Sequence, residues 1–84
     1  MKKRFTWTED ARADLRRIRK EQALDILKAL TRFAHEGVGD IKKLTDDPQE
    51  RYRFRTGDYR VFFRFEKDDT IHVLSVENRR EAYR

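Results

Sequence analysis

The stretch Arg51-Tyr52-Arg53-Phe54-Arg55-Thr56-Gly57-Asp58-Tyr59-Arg60-Val61-Phe62-Phe63-Arg64-Phe65-Glu66 decides the fold. Its first five residues alternate strictly, with Tyr52 and Phe54 on one side and three arginines on the other. That period of two is the signature of a half-buried strand. Thr56-Gly57-Asp58 then marks a tight turn. From Tyr59 to Glu66 the alternation resumes. Tyr59, Val61, Phe63 and Phe65 share one face, and Arg60, Phe62 and Arg64 share the other. Both faces carry apolar residues, so this second strand is expected at the centre of a sheet. Lys67-Asp68-Asp69 turns the chain again, and Thr70 to Val76 reads as the third strand of an antiparallel meander.

Working back toward the N-terminus, the period changes. Val38 to Gln49 reads as a connection, pinned to the core by Ile41 and Leu44. Before it, Ala23, Ile26, Leu27, Leu30, Phe33 and Ala34 fall on one side of a helix, and Gly37 supplies a left-handed stop. A shorter helix precedes that one. Thr8 is its N-cap, Glu9 and Asp10 suit its positive end, and Ala11, Leu15 and Ile18 form its apolar stripe. Lys3 to Trp7 reads as a strand. The predicted order is βααβββ: an α+β domain in which a helical hairpin covers one face of a twisted antiparallel sheet. The other sheet face stays partly open.

Composition sets the bounds. The 84 residues allow one small domain, expected to span 1–84. Leu, Ile, Val and Phe number 20, about 24%, just enough for a thin core. With no cysteine, disulfides, Cys-ligated zinc and thiol catalysis are excluded. No apolar run approaches the ~18 residues of a membrane span, and no apolar signal core follows the basic start. These features point to the cytoplasm. The net charge of +5 suggests a polyanionic partner, and its distribution sharpens the suggestion. From Arg51 onward there are eight arginines and one lysine, whereas the first half carries six of each. Arginine is the better choice where a planar fork must grip phosphate. The same residues also serve as ordinary solvated strand surface.

Arg53 and Arg55 lie two apart and project from one side. Arg60 follows on the adjacent strand, and Arg79, Arg80 and Tyr83 come after the third. In this reading the guanidiniums and one phenol converge on the open face, with no carboxylate pair between them. No Ser-His-Asp pattern, metal-ligand spacing or Gly-rich phosphate loop is present, so neither metal nor cofactor is expected. His35 and His72 stand isolated and read as satisfied or solvent-facing. RNA cleavage through the 2′-hydroxyl needs a group that removes the 2′ proton, a group that stabilises charge on the phosphoryl oxygens, and a group that protonates the leaving 5′ oxygen. Arginines suit the second task. Tyr83 suits proton exchange if positive neighbours lower its pKa, or stacking on a base.

These residues resemble those of the RelE/ParE superfamily, toxins of type II toxin–antitoxin systems. The resemblance runs through Phe5-Thr6-Trp7-Thr8-Glu9-Asp10-Ala11, Lys42-Lys43-Leu44, Tyr52-Arg53-Phe54-Arg55, Gly57-Asp58-Tyr59-Arg60-Val61 and Arg79-Arg80-Glu81-Ala82-Tyr83. It implies a RelE-like fold and, for RelE-like members, an endoribonuclease that enters the ribosome and cuts mRNA there. It implies that Arg60, Arg79 and Tyr83 are catalytic and that Arg53, Arg55 and Arg80 hold RNA. Relatives often carry lysines at 53 and 55, and many have a histidine where Asn78 stands. An arginine is a poor proton acceptor, which leaves Tyr83 as the expected proton-transfer group. ParE-like members share the fold but poison DNA gyrase without catalysis, and a degenerate toxin would only bind its partner. Every version implies a cognate antitoxin in a hetero-oligomer. The first also implies the ribosome and mRNA as partners.

Overall fold

The computed structural model of the chain describes residues 3–78. Its elements are β1 (Arg4–Trp7), α1 (Glu9–Arg16), α2 (Lys20–Glu36), β2 (Asp40–Lys43), β3 (Tyr52–Thr56), β4 (Tyr59–Glu66) and β5 (Thr70–Asn78). The five strands form one sheet in the order β1-β5-β4-β3-β2. Two helices pack on one face of this mixed, open sheet, an α+β arrangement. Strand β4 is central, as its two-sided apolar character requires.

Two features differ from the sequence expectation. Asp40–Lys43, read as part of a connection, is a fourth antiparallel-sheet strand paired with β3. With Ile41 as its single apolar side chain, it shows no alternation to detect, and such charge-rich sequence suits an edge strand. The N-terminal strand β1 also joins the sheet in parallel to β5, with Phe5 opposite Ile71 and Trp7 opposite Val73. The sheet is therefore mixed rather than wholly antiparallel.

Local chemistry fixes the boundaries. The Thr8 hydroxyl oxygen accepts from the Ala11 N–H at 3.0 Å and donates to the Leu74 carbonyl at 2.8 Å. One side chain thus caps α1 and ties it to β5. Gly37 ends α2 at φ 71°, with its N–H bonded to the Phe33 carbonyl at 2.8 Å. The turn between β4 and β5 places Asp68 and Asp69 at φ 63° and 53°, the left-handed pair of a tight hairpin.

The core lies between the helices and one sheet face. Ala11, Ile26, Leu30, Val61, Phe63, Ile71 and Val73 are almost fully covered. Phe33 on α2 stacks on Phe54 at 5.7 Å, and Tyr52 stacks on Phe63 at 5.6 Å. Leu27, expected in the buried stripe, lies at its margin and is 36% exposed. No helix among the described residues is long and apolar enough to cross a membrane.

Candidate nucleic-acid interface

The pairing register sets the open face of the sheet. Arg55 on β3 lies directly opposite Arg60 on β4. Asp40 on β2 lies opposite Arg55, and Glu77 on β5 lies opposite Arg60. Asp40, Arg55, Arg60 and Glu77 therefore form one row across four strands. The next row is Lys42, Arg53, Phe62 and Ser75. The expectation that Arg53, Arg55 and Arg60 share a face is met.

A β-bulge makes this row possible. The register of β4 on β5 shifts between Phe62 and Phe63, leaving Leu74 as the extra residue. Without it Val76, not Glu77, would face Arg60. The bulge keeps Val73 and Val76 in the core and turns Ser75 and Glu77 outward.

Arg53 donates to Asp40 at 3.3 Å, and Arg55 approaches the same carboxylate at 4.0 Å. Arg60 lies 3.5 Å from Glu77. No carboxylate stands between Arg55 and Arg60, but Asp40 and Glu77 bracket their row, two acidic partners that the sequence reading does not place there. The reason is electrostatic. Two guanidiniums placed directly opposite repel, and an acid on each outer strand offsets that repulsion. Both acids are half-exposed, at 54% and 46% of the side chain, and the arginines at 53, 55 and 60 are 16%, 39% and 20% exposed. Solvent screens such pairs, which are typically worth about 0.2–1 kcal/mol. A phosphate can compete for these guanidiniums.

Phe62 stands in the middle of this surface. The Arg51 and Arg60 guanidinium carbons lie 5.8 and 5.9 Å from its ring centre. Arg51 is anchored by Asp47, whose carboxylate accepts from the Arg51 Nε–H at 2.8 Å and the Arg51 backbone N–H at 2.9 Å. These bonds, the side-chain one foremost, hold the Asp47 carboxyl below its ordinary pKa.

His72 Nδ1 lies 2.6 Å from the Thr6 hydroxyl, a satisfied histidine as expected, and His35 is solvent-facing at the end of α2. Among the described residues no acidic or histidine cluster can hold a metal. Arg79, Arg80 and Tyr83 lie outside the described residues.

Comparison with known proteins gives this face its context. The family model described as ParE toxin of type II toxin-antitoxin system matches residues 5–83. This chain belongs to that family, within the RelE/ParE superfamily. Its fold is that of solved RelE chains. It resembles the archaeal RelE–RelB complex from Pyrococcus horikoshii OT3 at 27% identity and a TM-score of 0.75, covering 94% of this chain and 97% of that one. The RelBE2 toxin–antitoxin complex of Mycobacterium tuberculosis matches with a TM-score of 0.80 at 22% identity, over 94% and 100% of the two chains. The RelB–RelE complex of Methanococcus jannaschii matches at 0.72 and 22%, over 92% and 93%. No curated protein is similar enough in sequence to count as a relative.

Proposed function

We propose that this type II toxin inhibits translation by cutting mRNA within the ribosome, as a metal-independent endoribonuclease acting in the cytoplasm. The observation that carries the reading is the row of Arg55 and Arg60, flanked by Arg53, on a half-exposed sheet face. Three guanidiniums on adjacent strands suit a phosphate backbone, and fixed cations near the phosphoryl oxygens stabilise the transition state. In this reading residues 1–84 act as one toxin domain. Arg60 and Arg79 hold the scissile phosphate, Tyr83 exchanges a proton, and Arg53, Arg55 and Arg80 grip flanking RNA. The ribosome orders the substrate. The solved relatives are complexes with antitoxins, which supports a cognate antitoxin and a hetero-oligomer for this chain.

The family description favours a second reading, a ParE-like inhibitor of DNA gyrase. Primer extension on translated mRNA beside a supercoiling assay separates the two. The ribonuclease reading expects cleavage with ribosomes, and it expects Arg60→Ala, Arg79→Ala and Tyr83→Phe each to relieve growth arrest. Loss of one transition-state donor costs about 10²–10³-fold in rate. Full toxicity in all three variants, or blocked supercoiling without cleavage, removes it.

A further inference from the structure

Resting on the ribonuclease reading, we propose that Glu77 is the general base that takes the 2′-hydroxyl proton. Cleavage through the 2′-hydroxyl requires a proton acceptor beside the phosphate-binding cations. Arg53, Arg55 and Arg60 remain protonated and cannot serve. Among the described residues, the acceptors beside the open-face arginines are Asp47, His72, Glu66, Asp40 and Glu77, and Asp47 is held by both the backbone and the side chain of Arg51. His72 lies opposite Arg64, four residues along β4 from Arg60, and Glu66 accepts from Arg64 at 2.9 Å near the same far end of β4. Asp40 is shared by two guanidiniums on the edge strand. Glu77 lies directly opposite Arg60, 3.5 Å from its guanidinium, with its side chain 46% exposed. It also stands two residues before Arg79 in the chain.

Charged groups approach the Glu77 position from three elements. Arg60 faces it from β4, and Arg55 lies one strand further along the same row. Asp14 of α1 approaches this part of β5 from the helix side, where its carboxylate accepts from the Val76 N–H at 2.9 Å. Strand β1 ends at Trp7, opposite Val73, and places no charge beside Glu77. A phosphate that recruits Arg60 loosens the ion pair and leaves the carboxylate beside the sugar.

The step balances. The Glu77 carboxylate accepts the 2′ proton as the 2′ oxygen forms a bond to phosphorus. The bond from phosphorus to the 5′ oxygen breaks, and that oxygen takes a proton from water. The products are a 2′,3′-cyclic phosphate and a 5′-hydroxyl end.

Single-turnover cleavage of ribosome-bound mRNA by the full chain tests this, with Glu77→Gln and Glu77→Asp followed as a function of pH. Thermal melts and ribosome affinity are measured beside it. The expected result is a fall of about 10²–10⁴-fold for Glu77→Gln. Ribosome affinity should hold or tighten by no more than about 5-fold as Arg60 is released, the acid-side rise of rate with pH should disappear, and Glu77→Asp should partly recover activity. A Glu77 that merely positions Arg60 would leave the pH profile in place, which would overturn the assignment. Cleavage by Glu77→Gln at the parent rate would overturn it too. If the parent protein cuts no ribosome-bound mRNA, the ribonuclease reading falls and the assignment with it.

Discussion

Replacing Asp40 by Asn isolates what the acids do on the arginine face. Asp40 sits 3.3 Å from Arg53 and 4.0 Å from Arg55, with 54% of its side chain exposed. At the dielectric of water each contact amounts to about 1 kcal/mol, and exposed pairs measured in proteins retain about 0.2–1 kcal/mol. The variant should therefore lose less than about 1 kcal/mol of stability, a fall in melting temperature of at most about 8 °C for a domain of this size. The same energy is what a phosphate must displace to reach the two guanidiniums. Releasing about 0.5–1 kcal/mol corresponds to roughly 2–5-fold tighter binding of a single-stranded RNA at low salt. Fluorescence anisotropy with an oligoribonucleotide, paired with thermal melts, measures both quantities. Unchanged or weaker RNA binding would refute the competition between carboxylate and phosphate. A stability loss above about 3 kcal/mol would also refute it, since that is the signature of a broken buried pair.

Three further outcomes follow from other contacts. Asp47 has its folded pKa depressed by Arg51, so its contribution is present above the ordinary carboxylate value and is lost as pH falls through the lowered one. Asp47→Asn should lower the melting temperature at neutral pH and flatten its decline in acid, read from melts across that range. At Gly39 an added Cβ would run into the Phe54 ring, which is itself 2% exposed in the core. Gly39→Ala should cost about 1–3 kcal/mol by overpacking, measured by denaturant unfolding. Thr8→Ala removes both the cap on α1 and the bond to the Leu74 carbonyl. About 1–2 kcal/mol should be lost in the same assay, with Thr8→Ser recovering most of it.

The meander and helices were legible because each carries a strong period. Strict alternation from Arg51 to Arg55 and again from Tyr59 marks β3 and β4. Thr8 and Gly37 announce helix ends by chemistry that needs no tertiary context. Strand β2 was hidden because Asp40-Ile41-Lys42-Lys43 has no alternation and forms only through its partner β3. The parallel placement of β1 is likewise a tertiary property, set by which edge of the sheet is free.

The arginines of the site could be read from spacing, but their acidic neighbours could not. Glu77 reaches Arg60 only because the bulge at Leu74 shifts the register by one residue. A trace of that bulge is present in the sequence. Ile71 and Val73 keep one parity, and Val76 keeps the other, with Leu74 between them. Asp40 falls in a segment that reads as a connection, so its approach to Arg53 and Arg55 is invisible without the sheet order.

The account rests on the open sheet face being the surface that meets the RNA backbone. The salt dependence of ribosome binding tests that most directly, comparing the parent protein with a variant carrying Arg53→Ala, Arg55→Ala and Arg60→Ala together. Each phosphate contact on a single strand contributes about 0.7 to the slope of log affinity against log salt, so losing three should reduce the slope by about 2. A triple variant that stays folded and binds with the parent slope would contradict the account.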